Sequence, residues 1–80
     1  MIEINERIKL YAFFDGSKIT PIAFSWKGRR YEKLKQVGSW QMRRGQWLDN
    51  WFALSDGANV YQIRFEQDSF CWKMMKVMTE

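Results

Sequence analysis

The chain has 80 residues, 46% of them hydrophobic and 18% aromatic, with one proline, five glycines, one cysteine, no histidine and a formal charge of +4. That length gives one domain over residues 1–80, able to bury only about 60% of the surface its unfolded chain exposes, so the large side chains must carry the core. The composition excludes a disordered tail, a disulfide scaffold and a cysteine-built zinc site, and without histidine the chain lacks the commonest acid–base group.

The opening "MIEINERIKL" alternates charge and has no apolar leader. No later run approaches the roughly 18 apolar residues of a membrane span, so a cytoplasmic protein without a membrane partner is expected. Next come "RIKLYAFF", an Asp15-Gly16 turn and "ITPIAFSW". Period-2 alternation groups Ile8, Leu10, Ala12 and Phe14 with Ile19, Pro21 and Ala23. The other face, with Lys9, Tyr11, Phe13, Thr20, Ile22, Phe24 and Trp26, is aromatic too. Two apolar faces on one ribbon imply a sheet curled on itself. Pro21 donates no ladder hydrogen bond and belongs at an edge or a bulge.

Lys27-Gly28 reads as a two-residue turn that sets Trp26 opposite Arg29 and Phe24 opposite Tyr31, with "RYEKLKQV" as the third strand. In "VGSWQMRRGQW", Gly38 and Gly45 bracket a short strand, although the same glycines could bend an exposed loop. Beyond it, an Asp56-Gly57 loop would put Phe52 opposite Tyr61. A Gln67-Asp68 turn would put Phe65 opposite Phe70, Ile63 opposite Trp72 and Tyr61 opposite Met74. One apolar face then holds Phe52, Leu54, Tyr61, Ile63, Phe65, Phe70, Trp72 and Met74. The other carries Asp49, Trp51, Val60, Gln62, Arg64, Cys71 and Lys73, with Asp49 and Arg64 as a cross-strand ion pair. The expected fold is all-β: an antiparallel meander of five to six strands curled into a partly open barrel, SH3-like or OB-like.

Chemistry-bearing motifs are scarce. Asp15, Asp56 and Asp68 sit in turns, where aspartate is favoured for its own backbone hydrogen bonds. Cys71, between Phe70 and Trp72, has no base beside it to make it a nucleophile and reads as a packed thiol. Lys27-Gly28-Arg29 misses the spacing of both phosphate-loop motifs. No catalytic residue, metal or cofactor is expected, and the chain reads as a non-enzyme.

Charge is the feature that points to a partner. Residues 1–26 hold Arg7, Lys9 and Lys18 against Glu3, Glu6 and Asp15, whereas residues 27–44 hold Lys27, Arg29, Arg30, Lys33, Lys35, Arg43 and Arg44 against Glu32 alone. These cations are interleaved with Trp26, Tyr31, Trp40 and Trp47, the mixture that single-stranded nucleic acid uses: cations for phosphates, flat rings for bases. The candidate nucleic-acid-binding residues are therefore Lys27, Arg29, Arg30, Lys33, Lys35, Trp40, Arg43, Arg44 and Trp47. Without a ligand, the same residues make a solvated face with internal cation–π contacts. Tryptophan beside arginine also suits a protein–protein hot spot. The competing expectation is thus an interaction module or homodimer that uses exposed aromatics, an open strand edge, and Met75 and Met78.

The run Phe24-x-Trp26-x-Gly28-Arg29-x-Tyr31, followed by Trp40, Trp51-Phe52, Tyr61 and Trp72, resembles a family of short bacterial all-β domains of unknown function. The resemblance covers nearly the whole chain and implies a bacterial origin and the same β fold. The association of some relatives with translesion-type DNA polymerase genes implies a nucleic-acid partner. The family supplies no site residues, and the chain departs from its pattern in "EKLKQV" and "KMMKVM".

Overall fold

A computed structural model describes residues 2–79, and the side chains of residues 4–79. Seven strands form one antiparallel sheet: β1 (Ile2–Asp15), β2 (Lys18–Trp26), β3 (Arg29–Tyr31), β4 (Lys35–Arg44), β5 (Trp47–Ser55), β6 (Asn59–Glu66) and β7 (Cys71–Thr79). The spatial order is β3-β2-β1-β7-β6-β5-β4, and β3 and β4 do not pair, so the sheet does not close into a barrel. Seven strands replace the expected five to six because "RYEKLKQV" is not one strand. Lys33 takes φ +54, a left-handed conformation that breaks the extended run and separates β3 from β4.

The curl comes from β1. Its first half pairs with β7 and its second half, from Lys9, pairs with β2. Asn5, at φ +54, absorbs an extra residue against β7, and Ile22 on β2 is the extra residue against β1. Bulges of this kind bend a strand and raise its twist, which lets one strand turn a corner between two layers. The Ile22 bulge also changes the face assignment. It moves Phe24 and Trp26 from the outer face, where strict alternation puts them, to the inner face. Phe24 is fully buried there, and Pro21 sits next to that bulge.

The layers meet through rings. Phe24 stacks on Tyr31 with centroids 4.7 Å apart and meets Tyr61 edge-on at 5.3 Å. Around them the core comprises Ile8, Phe52, Leu54, Ile63, Phe65, Trp72 and Met74, with Leu34 of the β3–β4 link packed against it. The core face expected of β5–β7 is thus present, except for Phe70, which is 75% exposed.

The registers of β5–β7 differ from those expected, yet the face survives. Leu54 pairs with Tyr61 and Phe52 with Ile63; Phe65 pairs with Trp72 and Ile63 with Met74. Near its turn each hairpin is displaced by two residues because its loop is longer than a two-residue turn, and a shift of two returns side chains to the same side; beyond the Met75 bulge of β7, Tyr61 pairs with Val77 instead of the expected Met74. The shift does break the expected Asp49–Arg64 pair. Arg64 lies opposite Trp51, and Asp49 is bound by Arg44 instead.

Candidate nucleic-acid interface

The nine candidate residues run from the β2–β3 turn through β3 and β4 to the first residue of β5. Lys27 lies in the β2–β3 turn, Arg29 and Arg30 in β3, and Lys33 in the three-residue link to β4. Lys35, Trp40, Arg43 and Arg44 are in β4, with Trp47 just past the Gly45-Gln46 turn. The turn Lys27-Gly28 has φ +53 and +74 at its central residues, the left-handed pair of a type I′ hairpin, which fixes the register Trp26–Arg29 and Phe24–Tyr31.

Most cations near that turn already have a ring or an acid. The Lys27 ammonium lies 5.0 Å from the Trp26 ring, Arg29 lies 5.1 Å from Tyr31, and Arg30 lies 4.8 Å from Tyr11. Arg30 also binds Glu32 at 2.9 Å, and the hydrogen bond raises its guanidinium pKa. Trp26 donates its indole N–H to Glu6 at 2.9 Å.

At the other end, Arg44 is committed. It donates to Asp49 Oδ2 at 2.6 Å and Oδ1 at 3.1 Å, and to Asp68 Oδ1 at 2.7 Å. Asp49 is 1% exposed, so this bidentate pair closes a buried carboxylate that would otherwise be uncompensated. The two acids hold Arg44 more strongly basic than a free guanidinium, and Arg44 in turn holds Asp68 below the usual carboxylate range. By contrast, Lys33, Lys35 and Arg43 are exposed and make no ion pair among the described residues.

Strand β4 pairs only with β5, so its outer edge is open along ten residues. The Val37 bulge puts Lys35, Trp40, Met42 and Arg44 on its outer face and Ser39, Gln41 and Arg43 on its inner face. Trp40 stacks on Trp51 at 5.8 Å yet remains 36% exposed, and Trp47 is 39% exposed. Lys35 and Arg43 are eight residues apart, roughly 27 Å along a strand. Lys35 and Arg43 also belong to opposite faces of β4, so the free cations are strung along the edge as a track and do not converge on one patch.

One surface escapes sequence reasoning. At the inner end of the curled sheet, the β1–β2 turn, β4–β5 and the β6–β7 turn border a cleft of about 300 Å³ lined in part by Phe14, Ile19, Gln41, Asn50, Phe65 and Phe70. An adjoining groove shares Ser17, Ile19, Gln41 and Asn50 with it. Phe70 is the last residue of the four-residue β6–β7 turn and has φ +53, a position that suits glycine and costs a bulky side chain about 1–3 kcal/mol. Its ring touches Phe65 at 5.6 Å, and Phe14 meets Phe65 at 6.1 Å. No sequence pattern marks Phe70 as exposed, because a two-residue turn would carry it into the core.

No group of three or more acidic or cysteine side chains among the described residues could hold a metal, and no helix is long and apolar enough to cross a membrane. No family model, curated protein or solved structure matches the chain.

Proposed function

We propose that this domain binds single-stranded nucleic acid, without catalysing a reaction, along β4 and the adjoining β3–β4 link. The observation that carries the reading is the distribution of unneutralised charge. Lys33, Lys35 and Arg43 lack acidic partners among the described residues, and they bracket the half-open indole of Trp40 on an open edge, with Trp47 beyond the turn. Phosphates would take the cations and bases the exposed rings. Arg44 would act indirectly, as the clamp that holds the β4–β5 turn, since both its faces are occupied by Asp49 and Asp68.

The test is a titration of labelled single-stranded DNA of about 12 nucleotides, within the span of about 4–16 that small β modules cover. Three to five phosphate contacts should give log affinity a slope of about −2 to −3.5 against log salt. Lys35→Ala with Arg43→Ala should flatten that slope by about 1.4. Absence of binding at low salt would end the proposal.

A second reading rests on the same edge: an extended protein strand could add to β4 through its free backbone groups. A second copy is a poor occupant, because antiparallel β4–β4 pairing across a two-fold axis would set Lys35 against Arg43 or Arg44. An acidic extended segment fits better. It would bind with main-chain register and compete with DNA for the edge.

A further inference from the structure

Phe70 combines two costs in one residue. It is the most exposed of the large apolar side chains, and it holds a left-handed backbone that a phenylalanine rarely adopts. Strain that persists at an exposed aromatic, where glycine would be easier, is an observation that points to use of the ring. Phe14, 53% exposed, stands across the same cleft, and both rings rest on Phe65. Phe65 in turn packs on Trp72 at 4.7 Å and so anchors this platform in the core.

The cleft beside the rings is not purely apolar. Gln41 donates its side-chain N–H to Asn50 Oδ1 at 2.9 Å, which spends one donor of the first amide and one acceptor position of the second. The Gln41 carbonyl and the Asn50 amino group remain, an adjacent acceptor and donor at the cleft wall. By strand alternation Arg43 shares the inner face of β4 with Gln41, outside the cleft lining, and Lys18 lies in the adjoining groove. A flat partner with a polar edge and a nearby anion matches this set. An aliphatic peptide side chain would use the rings but leave the amides and cations without partners.

We infer that the Phe14–Phe70 cleft receives an unpaired base of single-stranded nucleic acid, stacked on Phe70 and held by its edge against the Gln41–Asn50 amide pair. The inference rests on the nucleic-acid reading and deepens it. Phosphate capture and sequence-tolerant stacking on Trp40 and Trp47 belong to the β4 track; this cleft adds contact with a base edge, which makes recognition specific for single strands and sensitive to base identity.

Three oligonucleotide probes separate the outcomes: single-stranded homopolymers of thymine and of adenine, a single strand carrying abasic sites, and a duplex of equal length. Phe70→Gly should weaken single-strand binding roughly tenfold or more, the loss of one stacked base, with the salt slope unchanged. Its thermal midpoint should stay level or rise, since glycine relieves the left-handed strain, so lost binding will not reflect lost fold. Gln41→Ala with Asn50→Ala should narrow the difference between thymine and adenine strands. The inference is overturned if Phe70→Gly binds like the parent chain, or if duplex and abasic strands bind as tightly as intact single strands. In those cases a retained salt slope leaves the phosphate track standing, whereas no binding to any probe at low salt removes both.

Discussion

Strands β5–β7 and the β3–β4 segment both combine aromatic with charged residues, the first richer in rings and the second in charge, and use them in opposite ways. In β5–β7 one face is sealed by Phe52, Leu54, Tyr61, Ile63, Phe65, Trp72 and Met74, and most charges on the other face are paired: Arg64 with Glu66, Lys73 with Glu66 at 3.4 Å, Asp49 with Arg44. Arg64 also lies 5.8 Å from the Trp51 ring. Along β3–β4 the aromatics stay half open, three cations stay unpaired among the described residues, and the backbone edge is uncovered. The difference teaches where stability and binding reside. A sheet region that has sealed its apolar face and paired most of its charges supports the fold, even with Arg64 Nε buried and unpartnered, whereas one whose edge and cations stay open is available to a partner.

The sharpest way to break that division is to truncate one residue in each region. Ile63 is fully buried in β6, and Ile63→Ala should cost about 3–4 kcal/mol, the lost transfer energy plus a cavity that close neighbours cannot fill. Such a loss approaches the whole stability of many 80-residue domains. Val37, half exposed at the β4 bulge, should tolerate alanine within about 0.5 kcal/mol. Urea denaturation measures both. A large loss for Val37→Ala would mean that β4 is structural and would undercut its assignment as a binding edge.

Much of β5–β7 is legible because a two-residue error in loop length is invisible to a period of two: apart from Phe70, the Phe52–Met74 face holds despite wrong partners. Phe24 and Trp26 were not so protected. A single extra residue, Ile22, reverses the face of everything after it, and nothing in "TPIAFSW" announces the bulge beyond Pro21. The candidate site was legible in composition only. Sequence can count Lys35, Arg43 and Arg44, but it cannot reveal that Asp49 and Asp68, 5 and 24 residues further on, occupy the third of them. Phe70 was misread for a related reason: its exposure follows from a four-residue turn whose length depends on the register of the whole hairpin.

The Arg44 clamp, which ties the two regions together, gives the next largest effect. Asp49→Ala leaves a guanidinium with half its partners gone and a buried hole under Met42 and Trp51, and should cost about 2–3 kcal/mol. Asp68→Ala, at the exposed side of the same guanidinium, should cost much less. If Asp49→Ala also weakens DNA binding while Lys35→Ala with Arg43→Ala leaves stability unchanged, the clamp is a positioning device for the β4–β5 turn. Equal stability losses for Asp49→Ala and Asp68→Ala would show that burial of Asp49 does not decide the strength of the cluster.

A further effect concerns pH, and both of its limbs lie in the β5–β6 hairpin. In the β5–β6 turn, Asp56 accepts hydrogen bonds from the backbone N–H groups of Ala58 and Asn59 at 2.9 and 2.8 Å and from the Tyr61 hydroxyl at 2.7 Å. The bonds from Asn59, Ala58 and Tyr61, in that order, hold its carboxyl below the usual carboxylate range, so its contribution is present above the unfolded value of about 4 and lost as pH falls through the lower folded value. Burial, then the bond to Asp56, pushes Tyr61 up to about 12. A raised phenol means that the folded state prefers the neutral form. Its contribution is complete below the unfolded value of about 10 and disappears as pH rises toward 12. Tyr61→Phe should cost about 1–2 kcal/mol at neutral pH and should remove the part of the alkaline slope that distinguishes it from the parent chain. An unchanged alkaline limb in Tyr61→Phe would show that the buried phenol does not carry it.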